Sequence, residues 1–405
     1  MNILISAYSV NPYRGSEDSI GWNWVLQHEK NYKDGDQIIL ITKKYNEQAI
    51  RQGFEEYRIK HIKLVIVDVP KMLNWFREKH SQFHHMYYIL WQKWAYMWVK
   101  KAGIDFDIIH HVTMNDYRIP GEMYKLQKTY TILGPVGGAQ CTPHSLKCYE
   151  KNKLNSQFRE LINKSCSFNP FYRKAINGFK KIYAINEETQ FQLEQIRHEK
   201  IEILPELAIR EDFKNVKVEI SPESVFRILF VGRLISKKGV SFLLDSLRKL
   251  PNDFNWKLDI YGNGSERNLI ENKITALQLV DKVNLHGDTP FVEIAKAYRN
   301  SDVFVLPSLR ETSGNVLLEA MAYKLPIIAL NTSFCRTLNK KNVGIFIEIC
   351  QNLEEIQTQM ADAIVQLAND EKMRLQLGEN GYRYVNEELT WERKYRKIYI
   401  EDYNC

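Results

Sequence analysis

Two carboxylates, Glu311 and Glu319, flank the segment Thr312-Ser313-Gly314-Asn315 within PSLRETSGNVLLEAMAYKLPII, residues 307 to 328. The preceding run, DVFVLPSL, is apolar and β-rich, so it reads as a buried parallel strand ending at Pro307, with Glu311 in the strand-to-helix loop. VLLEAMA, from Val316, has helical composition. The backbone N–H groups of residues 313 to 316 then lack intrahelical partners and form an anion-binding helix start. The chemistry this spacing offers is recognition of a diphosphate attached to hydroxyl-rich groups. Gly314 permits close approach of phosphate to backbone, and Glu319, more than one turn into the helix, accepts hydrogen bonds from sugar hydroxyls.

Stepping upstream, FRILFVGRLISKKGVSFLLDSLRKL, from Phe226, reads as strand, loop and helix. It puts Gly232 and Arg233 at the strand's carboxyl end and Lys238-Gly239 at the helix start. Arg233 can hold phosphate oxygens bidentately and Lys238 adds a point charge, which together offset the roughly two negative charges of a nucleoside diphosphate. WKLDIYGNGSERNLIENKI repeats strand, Gly262-x-Gly264 and helix, but without the third glycine and the acidic residue that a dinucleotide fingerprint requires. Taken singly, these features also read as a capped surface helix and an ordinary basic loop. Their order along the chain is what separates them from that reading.

In that order, GRLxxxKG, YGNG, and the strand DVFVLPS followed by E-x7-E with EAMA resemble the retaining glycosyltransferases of family 4, formerly called group 1. The resemblance implies an α/β fold of GT-B type, two Rossmann-like domains whose parallel sheets face an interdomain cleft. It divides the chain into an N-terminal acceptor domain, residues 1–215, and a C-terminal donor domain, residues 216–385, with the linker near 205 to 225. A last helix, about 386–405, is expected to return to the first domain with Trp391 as its anchor. The implied activity is hexosyl transfer with retention, from a nucleotide-sugar that is uridine- rather than guanosine-linked. The acceptor is a saccharide of bacterial surface polysaccharide or lipopolysaccharide, free or lipid-linked.

Site residues follow from the same resemblance. Gly232, Arg233, Lys238, Gly262 and Gly264 are expected beside the donor, together with Glu311, Thr312, Ser313, Gly314, Asn315, Val316 and Glu319. Glu311 is to contact the donor sugar and Glu319 the ribose, while Arg233 and Lys238 stabilise the departing diphosphate. A carboxylate nucleophile is not assigned, because the hydrolase scheme needs two acids about 5 Å apart across the bond and Glu319 is committed to ribose. Neither a metal ion nor another cofactor is implied.

The first half carries its own motifs. MNILISAYSVNPYRGSEDSIGWNWVLQ reads as strand, glycine-containing loop and helix, and GSEDSIGW resembles the GSE-x-x-x-GW opening of a subset of the family. Gly15 is expected near the donor phosphate, and Ser16 and Glu17 on the acceptor side. The strand DIIHHVT delivers His110 and His111 to its carboxyl end, with Asn115 and Asp116 in the loop beyond. One of the two histidines is the catalytic candidate; the family pattern places a second histidine where this chain has Val112. GPVGG contributes Gly137 and Gly138 to the acceptor side. Asp105 and Asp107 form a D-x-D that reads as a strand lead-in rather than a metal site.

Composition agrees with a two-domain globular protein of 405 residues, 44% apolar and 26% charged. MNILISAYS reads directly as a strand rather than a signal peptide, which points to a cytoplasmic protein, and six cysteines without pairing rhythm fit free thiols. Residues 1–200 hold 29 Lys and Arg against 20 Asp and Glu, a balance of +9, leaving −2 for the remainder. Within this basic half, residues 73–103 interleave Trp75, Trp91, Trp94 and Trp98 with Lys93, Lys100 and Lys101. That pattern suits peripheral contact with an anionic membrane, and equally one or two aromatic helices packed on a sheet. The bases form no compact groove for nucleic acid. A catalytically silent sugar-nucleotide-binding subunit of a transferase complex is the alternative. Whether His110 or His111 lines the cleft separates it from the enzyme.

Overall fold

The computed structural model describes residues 1–15, 17–70, 84–114, 116–151, 153–197, 199–209, 213, 225–312 and 314–403, without the side chains of His84 and residues 153–155. The sites expected at Ser16, Asn115 and Ser313, and residues 73–83 of the aromatic segment, lie outside the described residues.

The chain divides into two compact units, one comprising Met1–Ala139, Leu161–Leu207 and Trp391–Cys405, the other Gln140–Glu160 and Ala208–Thr390. The first contains a seven-stranded sheet in the order β3-β2-β1-β4-β5-β6-β7. Its strands are β1 (Asn2–Ser6), β2 (Gln37–Thr42), β3 (Ile62–Ile66), β4 (Ile108–His111), β5 (Tyr130–Val136), β6 (Lys181–Ala184) and β7 (Glu202–Ile203). Every pairing is parallel. Runs such as NILIS and IIHH are buried nearly end to end, as expected of parallel strands covered on both faces. Between the strands lie α1 (Glu17–Lys30), α2 (Glu47–Glu56), α3 (His84–Lys101), α4 (Lys153–Cys166), α5 (Pro170–Gly178) and α6 (Glu187–Glu194). Asn169 and Asn186 cap α5 and α6 through their side-chain oxygens.

The second unit has a six-stranded sheet in the order β10-β9-β8-β11-β12-β13, again all parallel. It comprises β8 (Phe226–Val231), β9 (Trp256–Tyr261), β10 (Val283–Gly287), β11 (Val303–Leu306), β12 (Ile327–Leu330) and β13 (Gly344–Ile347). Its helices are α7 (Val240–Leu247), α8 (Arg267–Ala276), α9 (Phe291–Arg299), α10 (Asn315–Ala322), α11 (Phe334–Asn339), α12 (Leu353–Asn369) and α13 (Glu371–Glu387). In each sheet the order reverses once, between β1 and β4 and between β8 and β11. Those reversals are where the loops after neighbouring strands diverge and leave a crevice at the carboxyl edge.

The structural division differs from the one expected from sequence at residues 140–160, which pack with the second unit. Tyr149 explains this: its hydroxyl donates to Asp245 Oδ2 at 2.6 Å and accepts from Gln357 Nε2 at 2.9 Å, and its ring meets Phe242 edge-on. The chain's last stretch, α14 (Trp391–Arg396) and a π-helical turn at Lys397–Glu401, belongs to the first unit. There Trp391 packs edge-on against Trp24 of α1, ring centroids 5.6 Å apart.

Candidate functional site

At the reversal of the second sheet, the loops after β8 and β11 are pressed together. A Cβ added to Gly239 would lie 2.0 Å from the Pro307 carbonyl oxygen, and Gly239 has φ +71, so only glycine fits. The Leu309 amide donates to the Lys237 carbonyl at 2.9 Å and locks the two loops in register. This closeness brings Lys238 Nζ to 2.5 Å from Glu311 Oε2, which also accepts from Ser308 Oγ at 3.0 Å. Glu311 is 7% exposed. Around it gather four cations. The Lys237 ammonium is held below its ordinary range by burial, then by Lys238; Glu311 opposes this, and Arg233 and Arg310 add to it. One buried carboxylate among four cations leaves a net positive charge beside a helix start, an arrangement that a diphosphate can neutralise.

Gly314, φ +61, is the cap of α10, and a Cβ there would crowd Leu317 at 2.8 Å. Asn315 and Val316 form the first turn, so their amides face the loop that carries Glu311 and Thr312. Thr312 Oγ1 accepts from Gln140 Nε2 at 2.5 Å. Glu319, one turn on, accepts from the hydroxyl of buried Tyr298 at 3.0 Å. Glu311 and Glu319 are thus both held by hydrogen bonds on one strand-loop-helix unit.

Gly232, Gly262 and Gly264 have a role that their sequence pattern did not suggest. A Cβ at Gly262 would sit 2.1 Å from the Gly232 carbonyl oxygen, and one at Gly264 would sit 2.3 Å from that of Leu234. The Leu234 amide donates to the Asn263 carbonyl at 2.8 Å, so the loop after β9 lies flat against the Arg233 loop. Neighbouring backbone is what requires glycine at positions 262 and 264, whereas a Cβ at Gly232 would meet only the Phe230 ring, at 3.3 Å.

At the reversal of the first sheet the two histidine candidates, His110 and His111, are held by partners within the unit. His110 is fully buried; its Nε2 lies 2.8 Å from the Gly134 carbonyl, which only accepts, so Nε2 carries the proton and Nδ1 accepts from Tyr399 at 2.8 Å. His111 is 3% exposed, with Nδ1 3.0 Å from Ser6 Oγ and Nε2 2.6 Å from the Tyr88 hydroxyl. Burial pulls the imidazoles down from 6.5, His110 to about 3 and His111 to about 4. Both nitrogens of each ring are engaged inside the unit, so neither histidine presents a free nitrogen for catalysis. A four-residue parallel strand buried on both faces has no exposed side on which to present one.

The acceptor-side candidates have a different setting. Glu17, half-buried at the start of α1, accepts from the Met114 amide at 3.0 Å, joining the loops after β1 and β4, and burial raises its carboxyl pKa. Asp116 binds Arg118, with Nε donating to Oδ1 at 2.7 Å, and bridges in parallel to Gly137. A Cβ at Gly138, φ +112, would come 3.2 Å from Asp116 Oδ1. Gly15 is exposed, with no atom within 4 Å of an added Cβ. Asp107 of the D-x-D accepts from the Asn2 amide at 2.7 Å and so fixes the start of β1.

Sequence reasoning missed Lys237, Arg310, Ser308, Tyr298 and Gln140. Lys237 and Arg310 sit beside residues already singled out, and Ser308 stands three residues before Glu311, a spacing that was available as a signal. Tyr298 and Gln140 carry no local signal.

The comparisons with known proteins converge on the same half of the chain. Residues 211–384 match the family described as glycosyl transferases group 1. This stretch is a group 1 glycosyl transferase domain. The chain is 30% identical to the capsular polysaccharide biosynthesis glycosyltransferase CapM of Staphylococcus aureus, over 41% of this chain and 44% of that protein. It spans about half the length of the curated relatives it matches. Two solved structures share the fold along the whole chain. The lipopolysaccharide outer core galactosyltransferase WaaB superposes with TM-score 0.66 at 17% identity, covering 99% of this chain and 100% of WaaB. Anabaena HepE in complex with UDP superposes with TM-score 0.65 at 15% identity, covering all of both chains. The fold is therefore of GT-B type, with two Rossmann-like halves.

Proposed function

We propose that the protein is a retaining hexosyltransferase that moves a sugar from a UDP-sugar to a saccharide acceptor of bacterial surface polysaccharide or lipopolysaccharide. The observation that carries this reading is the Lys238–Glu311 pair set among Arg233, Lys237 and Arg310 at the start of α10. In that setting the diphosphate occupies the cationic side and frees Glu311 to meet the sugar. Negative charge growing on the departing diphosphate meets cations and amides already in place, an effect worth several kcal/mol in a dry site. UDP bound to HepE, and the capsule and lipopolysaccharide names of CapM and WaaB, support the choice of donor and acceptor class.

A membrane-anchored acceptor is favoured by α3. Its sequence contains no Asp or Glu, and its exposed residues, His85, Met86, Ile89, Lys93, Met97, Lys100 and Lys101, mix apolar and basic side chains. Such a stripe suits peripheral attachment to an anionic leaflet. Among the described residues no helix is long and apolar enough to cross a membrane.

The buried state of His110 and His111 favours a second reading, a nucleotide-sugar-binding subunit without chemistry of its own. One experiment tests both. A thermal-shift panel of nucleotide-sugars should show one that stabilises the chain by about 2.7 kcal/mol at 100 times its Kd. Radiolabelled transfer from that donor, with release of nucleoside diphosphate, identifies the enzyme. Stabilisation without release identifies the subunit, and no stabilisation by any nucleotide-sugar refutes both.

A further inference from the structure

The second unit has a cavity of ≈ 630 Å3 at the amino ends of β8, β11 and β12, the edge of the sheet opposite Glu311 and Lys238. The six residues of β8 separate the two edges by about 20 Å, so one small molecule cannot occupy both. The cavity is lined by five cations, Arg227, Arg299, Lys324, Lys372 and Arg374, against two carboxylates, Asp302 and Glu379. Both carboxylates already serve the walls. Glu379 pairs with Lys324 at 2.8 Å, while Asp302 accepts from the Arg227 amide at 2.8 Å and lies 3.9 Å from Arg374 Nε.

The walls are fixed in advance of any ligand. A Cβ at Gly378 would lie 2.0 Å from the Lys324 carbonyl oxygen, so α13 lies directly on the turn after α10. The floor is Tyr323, which stacks on Tyr298 at 5.3 Å with an interplanar angle of 7° and lies under the Arg299 guanidinium at 5.4 Å. Like charges lining one concavity repel each other, and an anion of two or more charges relieves that repulsion. The volume falls in the range of small-molecule sites, roughly 300–1,000 Å3.

We infer that this cavity is a second anion-binding site, for a phosphorylated small molecule of sugar-phosphate to nucleotide size, distinct from the donor site. The inference does not depend on the transferase reading. The test is calorimetric titration of inorganic pyrophosphate into the full chain carrying Arg233→Ala and Lys238→Ala, which removes the donor-side phosphate ligands. Saturable binding at one site should remain and weaken at least tenfold when Arg299→Ala and Lys372→Ala are added. No saturable binding, or binding that ignores those two changes, overturns the site. Where the fourfold variant does not fold, Lys372→Glu alone, at an exposed position, serves in its place. It should reduce the wild-type stoichiometry by one pyrophosphate, and an unchanged stoichiometry overturns the site equally.

Discussion

Lys238 and Glu311 neutralise each other across the two loops, so each should respond to substitution in its own way. On the proposed reading Lys238 meets charge that grows as the donor bond breaks, and Lys238→Ala should lower kcat by roughly 10²-fold or more with a smaller effect on donor affinity. Unchanged turnover removes Lys238 from the site. Glu311→Ala should abolish transfer yet leave nucleoside diphosphate binding intact or tighter, because it removes the one buried carboxylate among the cations. Calorimetry with UDP and with a UDP-sugar reads this directly; equal loss for both contradicts a contact between Glu311 and the sugar.

The same scale contains a pH dependence. His28 and His110 titrate near 3 and His111 near 4 in the folded chain, all lowered first by burial, against 6.5 when unfolded. Because the folded values are depressed, the unfolded chain takes up protons first as pH falls. Stability is therefore full above about 6.5 and declines towards 4, by up to about 1.4 kcal/mol per pH unit for each histidine. Denaturant midpoints at pH 7, 6 and 5 should fall progressively. His28 has no hydrogen-bond partner at either nitrogen among the described residues and lies edge-on to Tyr395 and Tyr399. His28→Phe should accordingly remove one proton from the slope, whereas an unaltered slope places the pH dependence elsewhere.

At the scale of elements, α3 performs two separable jobs. Tyr88 and Trp91 are buried, and the Trp91 indole N–H donates to the Val67 carbonyl at 2.9 Å, so Trp91→Ala should cost about 3–5 kcal/mol of stability. Lys93, Lys100 and Lys101 are exposed, and replacing all three by alanine should leave the unfolding midpoint nearly unchanged. If the stripe meets lipid, the triple variant should release the chain from anionic vesicles at low salt, at about 1 kcal/mol per charge. Equal co-sedimentation of variant and wild type makes the helix core packing alone. Both readings of residues 73–103 were open in the sequence because helical periodicity shows which residues share a face but not what covers that face. In the described part, the core reading holds for Tyr88 and Trp91, while the exposed lysines keep the membrane reading testable.

At the scale of the molecule, the chain's last residues complete the first unit. Trp391 and Tyr399 cover Trp24 and His110, and Tyr183 donates to Asp402, whose carboxylate also binds Lys397 at 2.6 Å. A chain truncated after Thr390 should lose near-ultraviolet circular dichroism from these buried rings and expose the Trp24 ring. Retention of the wild-type spectrum contradicts that role.

What the sequence determined by itself was local. Apolar runs of four to six residues announced the parallel strands, because strands covered on both faces must be apolar throughout. Gly314 announced the helix start that follows β11, and GRLxxxKG placed Arg233 and Lys238 in the loop after the neighbouring strand. The tertiary structure decided everything that depends on what lies opposite. It placed Lys238 against Glu311, Tyr298 against Glu319, and Gly262 against the Gly232 carbonyl. It also gave the two histidine candidates at a strand end their buried, hydrogen-bonded setting. A pattern along the chain specifies which way a side chain can point, but its partner can come from a distant segment, as Tyr399 does for His110, 289 residues away.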